Sequence, residues 1–441
     1  MALSPTKSVH HVDTSSREIF ETRVEFPMTG SDLPSLMTEI PGPASRAWVD
    51  RLAQRECPAI TARRARRADA LGIVDTDPIV WKAAQGSNVE DVDGNILVDL
   101  TSGFGVASVG HRHPAVVEAG QNQLSCLPHA MGDAFPDPQR IMLLEALARH
   151  TGLDHGILGC SGSDAVEAAL KTARIATQRD GVLAFHAGYH GLSYGALAAT
   201  AYKANDFRSP FSGQLGQHVE HLPFGELPTN LDHIGAILVE PIQGRGGMVS
   251  PPKGWLAALG ELARNSGALL ILDEIYTGLG RTGAMFAFQE EGVQPDLLCV
   301  GKSLGGGFPI SACMGRQDTM AAWGASRGEA LHTQTFLGNP TGCAMALACL
   351  DVIEKEGLVK RSLELGEWLS TALSRLGRVR GRGLLLGVEV NDSLRISREL
   401  LQRGWLALPA GETAEVLAVV PPLTIAKPQL EAFVAVLESL L

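Results

Sequence analysis

The sequence predicts an α/β protein built on a mainly parallel sheet. Three short apolar segments, residues 181–185, 236–239 and 268–272, have the length and composition of buried strands. Helix-like segments at 163–177 and 255–265 alternate with them. Strands that are apolar on both faces and alternate with helices are typical of a parallel sheet that helices cover on both sides. We therefore expect a large central α/β domain.

The two ends of the chain predict a second, smaller α/β domain. A helix-like segment at 45–55 is followed by two extended segments around an Asp93-Gly94-Asn95 turn, which indicates a hairpin. Helices return after Gly342, with a strand-like segment at 384–390. We expect an N-terminal arm at 1–40, a small domain formed by 41–98 and 336–441, and a large domain at 99–335.

Composition and charge limit the possible partners. The 441 residues are 45% hydrophobic, and the net charge is −11 with no long basic run, so neither nucleic acid nor an anionic membrane is an expected partner. The 7 cysteines form no CxxC pair, which favours a reducing compartment over disulfides or a zinc site. Residues 1–24 lack the apolar core of a signal peptide, and no apolar run is long enough to span a bilayer. We expect a cytoplasmic protein.

An acid and a lysine follow two apolar segments. Asp273 ends the apolar run 268–272, and in doubly wound sheets ligands bind at that edge. The acid could bind a metal, act as a base, pair with a cationic ligand or cap the structure. Lys302 lies on a turn with Gly301 and several later glycines, which makes it a candidate nucleophile that forms imines with carbonyl compounds such as pyridoxal phosphate. The segment lacks the spacing of a Walker loop.

Three further motifs have both a functional and a structural interpretation. Residues 159–165 lead into a helix, so Ser161 and Ser163 indicate an anion site or an ordinary capping box, and the two are compatible. Tyr189 follows another strand and could stack on a flat heterocycle or pack in the core. His111 and His113 lack a nearby third ligand and are interpreted as part of a turn, so no metal site is expected.

In these motifs the chain resembles the class III aminotransferases of fold type I, the group of ornithine and 4-aminobutyrate aminotransferases. The resemblance runs from about Gly42 to the C-terminus, and the motifs occur in the family's order. They are 99–114, which begins with Asp99, 161–169, 240–244, 273–278 with 280–283, Lys302, 335–340 and 421–423. The resemblance implies a mainly parallel seven-stranded sheet, pyridoxal phosphate (PLP) as cofactor and a homodimer with composite active sites.

The resemblance also implies roles for individual residues. Lys302 would form the Schiff base with PLP and shuttle the proton, and Asp273 would keep the pyridine nitrogen protonated. Tyr189 would stack on the ring, and Thr335 would reach the phosphate of the neighbouring subunit. The cofactor-binding residues in addition to Lys302 and Asp273 are expected to be Ser161, Gly162, Ser163, Tyr189, His190, Glu240, Tyr276 and Thr335, with Gly162 and Ser163 at the phosphate.

Some positions depart from the family's pattern on the substrate side. In 4-aminobutyrate aminotransferases an arginine that grips the substrate carboxylate occupies the position of Leu192. In most of the family a second arginine, which binds the α-carboxylate of the donor, occupies the position of Ala418. Arg245 stands where the family often has an acid, and it could replace a missing clamp or form a structural salt bridge.

Two aromatic residues also differ from the family's usual form. Tyr276 replaces a glutamine that bonds the ring hydroxyl of PLP, so it could donate to the same oxygen or shift outward. Phe104 replaces a substrate-side tyrosine of ornithine aminotransferases and makes that wall of the site more apolar.

These departures predict the class of substrate. We expect a ping-pong aminotransferase that takes a primary amine donor without a nearby carboxylate, such as an amino sugar, a simple amine or a diamine, and an aldehyde or keto acceptor. The alternatives are an ω-amino-acid aminotransferase of the 4-aminobutyrate type, using 2-oxoglutarate or pyruvate, and a PLP epimerase or racemase. A non-catalytic scaffold is the alternative from another class, and the presence of Asp273 and Lys302 argues against it.

Overall fold

The structure is a computed structural model that describes residues 28–58, 60, 72, 78–325 and 328–441. Most of the expected N-terminal arm, residues 1–27, lies outside them. Within the described residues, none of the helices has the length and apolar character that crossing a membrane requires. The division into an arm, a small domain and a large domain stays a prediction.

The strands include one close to each segment for which the sequence predicts a strand. In chain order they are β1 Trp81–Gln85, β2 Asn88–Asp91, β3 Ile96–Asp99, β4 His155–Gly159, β5 Gly181–Phe185, β6 Val219–Leu222, β7 Ile234–Val239, β8 Leu269–Asp273, β9 Leu297–Val300, β10 Ser311–Gly315, β11 Val379–Arg382, β12 Leu385–Glu389, β13 Trp405–Leu406, β14 Leu408–Ala410 and β15 Val416–Val419. The antiparallel pairing of β2 with β3 confirms the predicted hairpin.

Helices fill most of the chain between the strands. The longer ones are Pro43–Ala53, Pro114–Cys126, Pro138–Thr151, Gly162–Thr177, Trp255–Ser266, Pro340–Lys355, Leu358–Leu373, Ser393–Leu401 and Lys427–Glu438. Short helical segments are Ser102–Gly105, Tyr194–Ala199, Ala204–Phe207, Ser209–Phe211, Phe288–Glu291, Lys302–Gly305 and Gln317–Ala321.

The central sheet has seven strands in the order β4-β10-β9-β8-β7-β5-β6. The pairs from β9 to β6 are parallel, whereas β10 is antiparallel to both of its neighbours. Successive residues of a strand face opposite sides, so Leu270 and Leu272 pack in one apolar cluster and Ile271 packs in another with helix Gly162–Thr177. The predicted α/β class, with a seven-stranded, mainly parallel sheet covered on both faces, is therefore confirmed.

Two smaller sheets are formed by both ends of the chain. One has the order β1-β2-β3-β13, and the other has the order β11-β12-β15-β14. Helix Pro340–Lys355 packs against helices Pro114–Cys126 and Pro138–Thr151, and so connects the C-terminal part of the chain to the central part.

The carboxyl ends of β4, β5, β7, β8 and β9 lie on the same edge of the central sheet, because these strands run in the same direction. The segments that follow them carry most of the residues singled out by the sequence. These are Ser161 to Ser163 after β4, Tyr189 and His190 after β5, Glu240 after β7, Asp273 at the end of β8 and Lys302 after β9.

Candidate active site

The site is centred on Asp273, which ends β8 and is almost fully buried. Nδ1 of His190 lies 2.8 Å from Oδ2 of Asp273, and the backbone N–H of Ile275 donates to Oδ1 at 3.1 Å. Burial alone would lower the pKa of His190, but the hydrogen bond to Asp273 and the charges of Asp273 and Glu240 outweigh it and raise that pKa. The pair therefore places a carboxylate in contact with an imidazole of raised pKa at the sheet edge.

Glu240 follows β7 and holds the segment that carries Tyr189. Its Oε1 accepts the backbone N–H of Tyr189 at 2.9 Å, and its Oε2 accepts the backbone N–H of Gly244 at 3.0 Å. Burial raises the pKa of this carboxyl, while nearby His190 and the two backbone donors oppose the shift. Glu240 therefore fixes the two backbone segments on either side of the site.

Lys302 begins a short helical turn directly after β9, with the left-handed φ of 39°. Burial lowers the pKa of its amine, Asp273 and Glu240 raise it, and Arg245 lowers it further. The Nζ atom lies 4.5 Å from the centroid of the Tyr276 ring. A buried amine with a lowered pKa is more often neutral, and the neutral amine is the nucleophilic form.

The partly buried ring of Tyr276 lies between two glycines. A Cβ atom at Gly244 would lie 2.1 Å from Cδ1 of the ring, and one at Gly105 would lie 2.4 Å from Cε2. Burial raises the pKa of the Tyr276 hydroxyl to about 12, so the phenol stays protonated. The ring lies next to Lys302, and donation to the cofactor hydroxyl and an outward shift both stay predictions.

The start of helix Gly162–Thr177 has the features of both a capping box and an anion site. Ser161 and Asp164 form a reciprocal capping box, which confirms the structural interpretation. The backbone N–H groups of Gly162 and Ser163 donate to no other group in the described part of the chain, so they stay available to an anion. Ser163 Oγ accepts the backbone N–H of Leu192 at 3.2 Å, which joins the helix start to the segment after Tyr189.

Thr335 is exposed and lies in a segment that contacts the helix start of its own chain. Nε2 of Gln334 donates to Asp164 Oδ2 at 3.3 Å, and Sγ of Cys160 lies 3.6 Å from the carbonyl oxygen of Phe336. The single chain therefore does not test whether Thr335 reaches the phosphate of a partner subunit, and that role stays a prediction.

Arg245 is half-buried, and its guanidinium group lies over two tyrosine rings. Its Cζ is 4.5 Å from the ring centroid of Tyr189 and 5.7 Å from that of Tyr202. No ion-pair partner for it occurs among the residues that the structure describes. Within these ranges aromatic faces rather than a carboxylate hold the side chain, and both predicted roles of Arg245 stay predictions.

The remaining substrate-side residues are apolar. Phe104 is 57% exposed and has a left-handed φ of 66°, and Leu192 is 47% exposed. Ala418 lies on β15 and packs, like Tyr276, against a small apolar cluster that contains Ile242. None of these side chains can pair with a carboxylate.

Arg281 is a residue whose role the sequence did not reveal. It is fully buried, its Nε has no hydrogen-bond partner among the described residues, and burial lowers its pKa to about 10. Its guanidinium group donates to Ser102 Oγ at 3.2 Å, Ser108 Oγ at 2.9 Å, the Leu384 carbonyl at 3.2 Å and the Pro421 carbonyl. Ser108 also bonds Ser303, which follows Lys302. The family motif contains Arg281, but no local signal shows that it connects distant segments.

The residues at this edge fit PLP, the cofactor that the resemblance implies. The cofactor needs an amine for its aldehyde, a carboxylate for its ring nitrogen and donors for its phosphate. Lys302 supplies an amine with a lowered pKa, and Asp273 supplies a carboxylate bonded to His190. The free backbone N–H groups at Gly162 and Ser163 supply the donors.

Comparisons with known proteins identify the family. The model of the class III aminotransferases matches residues 73–441. Acetylornithine aminotransferase from Mycobacterium tuberculosis is 39% identical over 393 residues, which cover 86% of this chain and 96% of that protein. The enzyme of the same name from Mycolicibacterium smegmatis is 38% identical over 376 residues, covering 83% and 94%.

Solved structures agree. Ornithine aminotransferase from Toxoplasma gondii has a TM-score of 0.77 and 31% identity, covering 89% of this chain and 96% of that one. An amine transaminase from an uncultivated Pseudomonas species, solved with PLP bound, has a TM-score of 0.76 and 28% identity, covering 82% and 94%. A family match over most of the chain, close relatives and a site that fits PLP lead to one conclusion: this chain belongs to the class III aminotransferases and is a PLP-dependent enzyme.

Proposed function

We propose that this aminotransferase takes its amino group from a primary amine without a carboxylate near the amine, such as a simple amine, a diamine or an amino sugar. The observation that carries the proposal is that apolar residues occupy both positions at which the family has a carboxylate-binding arginine. Leu192 and Ala418 occupy these positions, and neither can pair with a carboxylate. A bidentate arginine–carboxylate pair is strong and directional, so its loss favours uncharged substituents beside the amine.

The reaction is a ping-pong exchange. One primary amine and one carbonyl compound give the carbonyl form of the donor and the amine form of the acceptor, without other products. When bound, PLP supplies an aldehyde for imine exchange and a ring that accepts electrons from the substrate carbon. Lys302 Nζ binds the cofactor and moves a proton to and from the substrate carbon, and Asp273, with His190, holds the proton at the ring nitrogen.

Around these two groups, the other proposed cofactor-binding residues position the ring and the phosphate. Tyr189 provides an aromatic face, and Glu240 fixes its backbone. Gly162 and Ser163 donate backbone N–H groups to the phosphate at the start of their helix, where the helix dipole favours negative charge.

A donor screen tests the proposal. The holoenzyme is mixed with simple amines, diamines, amino sugars, ornithine, acetylornithine and 4-aminobutyrate, and conversion of PLP to its pyridoxamine form is followed by absorbance. We expect the carboxylate-free amines to convert the cofactor fastest. A much faster reaction with 4-aminobutyrate, ornithine or acetylornithine overturns the proposal.

The second candidate is an ω-amino-acid aminotransferase whose substrate carboxylate is bound by a different residue. Two observations favour it. The curated relatives are named acetylornithine aminotransferases, and Arg245 is a cation at Tyr189 without an ion-pair partner in the described ranges. The donor screen separates the two candidates, because this one requires ornithine-like or 4-aminobutyrate-like donors to react fastest.

We also propose that the enzyme is a homodimer. Exposed apolar side chains are concentrated on two neighbouring parts of the chain, which we call the apolar face. Its members are Leu124, Leu127, Met131, Phe135, Ile141, Met142, Leu331 and Phe336. The two parts meet where the rings of His129 and Phe336 lie 5.5 Å apart. Large exposed apolar patches usually mark interfaces, and this one adjoins Thr335.

A cytoplasmic location is proposed from the cysteines. All 7 are free, and Cys299, Cys313, Cys343 and Cys349 are buried in the core as thiols. Free thiols persist in reducing compartments. Fractionation of cells that produce the protein, with detection in the cytosolic fraction, tests this location.

A further inference from the structure

Arg245 is the substrate-side residue with the most unusual surroundings. Its guanidinium group lies on the rings of Tyr189 and Tyr202, and it has no ion-pair partner in the part of the chain that the structure describes. Stacking holds the plane of a guanidinium group but leaves its N–H donors at the edge free to bind other groups. The side chain is therefore oriented without being neutralised.

The surrounding backbone fixes Arg245 in this place. The backbone N–H of Gly411 donates to the carbonyl oxygen of Arg245 at 3.0 Å. The hydroxyl of Tyr202 donates to the carbonyl oxygen of Gly411 at 3.3 Å. Gly411 thus connects the backbone of Arg245 to Tyr202, one of the two rings on which the guanidinium group lies. These bonds fix the position of the cation.

Arg245 lies beside a segment that reaches the same sheet edge as the reacting amine. Tyr189, on which it stacks, follows β5 at the edge where Lys302 and Asp273 lie. The positive charge of Arg245 is close enough to contribute to the lowered pKa of Lys302. The neighbouring substrate-side residues Phe104, Leu192 and Ala418 carry no charge.

We infer that Arg245 binds the carboxylate of the acceptor, a 2-oxo acid, and so determines the specificity of the second half-reaction. The inference rests on the proposed function, in which the donor lacks a carboxylate and the acceptor supplies the carbonyl. A fork of N–H donors matches a carboxylate geometrically, and the apolar residues around it provide no competing cation. One site can then accept an uncharged donor and a charged acceptor in turn.

The test follows the second half-reaction alone. The natural protein and the Arg245→Gln variant are loaded directly with pyridoxamine phosphate and mixed with 2-oxoglutarate, pyruvate or butanal, an aldehyde without a carboxylate. In the variant we expect the ratio of the rate constant for the 2-oxo acids to that for butanal to fall by about 30-fold, the loss of a charged hydrogen-bonded pair. The ratio cancels the effect of the changed Lys302 pKa, which acts on every acceptor alike. Arg245→Lys should fall between them, because it keeps the charge but loses the fork.

A binding measurement provides a readout that does not depend on turnover. Glutarate has two carboxylates but no carbonyl, so its binding to the loaded protein is measured by calorimetry. We expect weaker binding in Arg245→Gln and unchanged binding in Lys203→Gln, a control that removes the other cation on Tyr202, 5.6 Å from its ring centroid.

Equal slowing of butanal and the 2-oxo acids in Arg245→Gln, or no change in either, overturns the inference. Failure of the proposed function is distinguishable from this result. It appears in the donor screen as preference for carboxylate-bearing amines, whereas loading with pyridoxamine phosphate makes the acceptor test independent of the donor.

Discussion

At the scale of single residues, the surroundings of Lys302 predict its reactivity. Burial and the charge of Arg245 lower the pKa of the amine from its ordinary value of 10.5. The neutral fraction increases as pH rises through the pKa, so uptake of PLP by the apoprotein should reach half of its maximum rate below pH 10.5. Arg245→Gln removes one of these two causes, so it should move the midpoint to a higher pH.

Stopped-flow absorbance of the apoprotein mixed with PLP across a pH series measures both midpoints. Lys302→Ala provides the correction for imines that form with other lysines. A midpoint equal to that of a lysine peptide, or one that moves downward in Arg245→Gln, contradicts the prediction.

The packing of Tyr276 supports a second residue-scale prediction. The three atoms nearest to a Cβ at Gly244 all belong to the Tyr276 ring, the nearest at 2.1 Å. We expect Gly244→Ala to lower the free energy of unfolding by about 2 kcal/mol, a typical cost of overpacking a core. In a Tyr276→Gln background the same change should cost far less, because the atoms that clash are gone.

Urea denaturation of the four proteins of this double-mutant cycle measures the coupling. Gly213→Ala is the matched control, because a Cβ atom there meets nothing within 4 Å. Additive effects of Gly244→Ala and Tyr276→Gln would falsify the assigned packing.

The residues that the sequence identified well are those adjacent to a strand end. Asp273 and Lys302 could be placed because an apolar run directly precedes each of them. The stacking of Arg245 and the bonds of Arg281 could not be predicted, because their partners are distant in sequence and only the tertiary fold brings them together.

At the scale of elements, local sequence patterns predicted several buried strands but not the direction in which each strand runs in the sheet. Segment 181–185 matches β5, because an uninterrupted apolar run has one plausible structure in a buried sheet. The antiparallel direction of β10 was not predicted, since strand pairing depends on the connection and not on the strand's own residues. The left-handed backbone at Phe104 also has no local signal, because phenylalanine disfavours positive φ.

Glu274 follows β8 and is hydrogen-bonded to a later segment. Its titration should make the stability of the protein depend on pH. Its carboxyl accepts the backbone N–H groups of Ala287 at 2.7 Å and Phe288 at 2.8 Å. Burial raises its pKa from 4.5 to about 7. Between these values the folded state binds more protons than the unfolded state, so stability should fall as pH rises, by on the order of 3 kcal/mol for this group.

Glu274→Gln does not titrate, which makes it the reference for this effect. We expect it to be less stable overall, because an amide N–H₂ faces a backbone donor, but with a flatter pH dependence. Urea unfolding between pH 5 and about 7.5 gives the difference between the two proteins, in which other titrating groups cancel. Parallel curves contradict the raised pKa.

At the scale of the whole molecule, the apolar face predicts assembly. Phe135 is 70% exposed in the single chain, and Leu227 is 42% exposed on another part of it. If the apolar face forms the dimer, Phe135→Asp should shift the protein toward monomer, because a charge buried in an interface without a partner is strongly unfavourable. Sedimentation velocity across a concentration series measures this shift.

Leu227→Asp is the control and should leave the assembly unchanged. A dimer that tolerates Phe135→Asp as well as Leu227→Asp argues for a different interface. Since Thr335 adjoins the apolar face, monomeric Phe135→Asp should also bind PLP more weakly.

The whole fold was predictable mainly because its elements alternate along the chain. The α/β class follows from residues 163–272, where strands and helices take turns. The connection through helix Pro340–Lys355 was not predictable from pattern alone, because a helix shows which face is apolar but not which partner covers it.

The two glycines around Tyr276 also limit the routes by which this enzyme can change. A side chain at Gly105 or Gly244 costs stability while the tyrosine is present, whereas the tyrosine can be replaced by a smaller residue first. A mutant library that varies the three positions one at a time should therefore give its most stable variants at position 276. Directed evolution of this enzyme toward larger amines should start there and diversify Gly244 in a second round, because the left-handed φ of 79° at Gly105 strains any other residue.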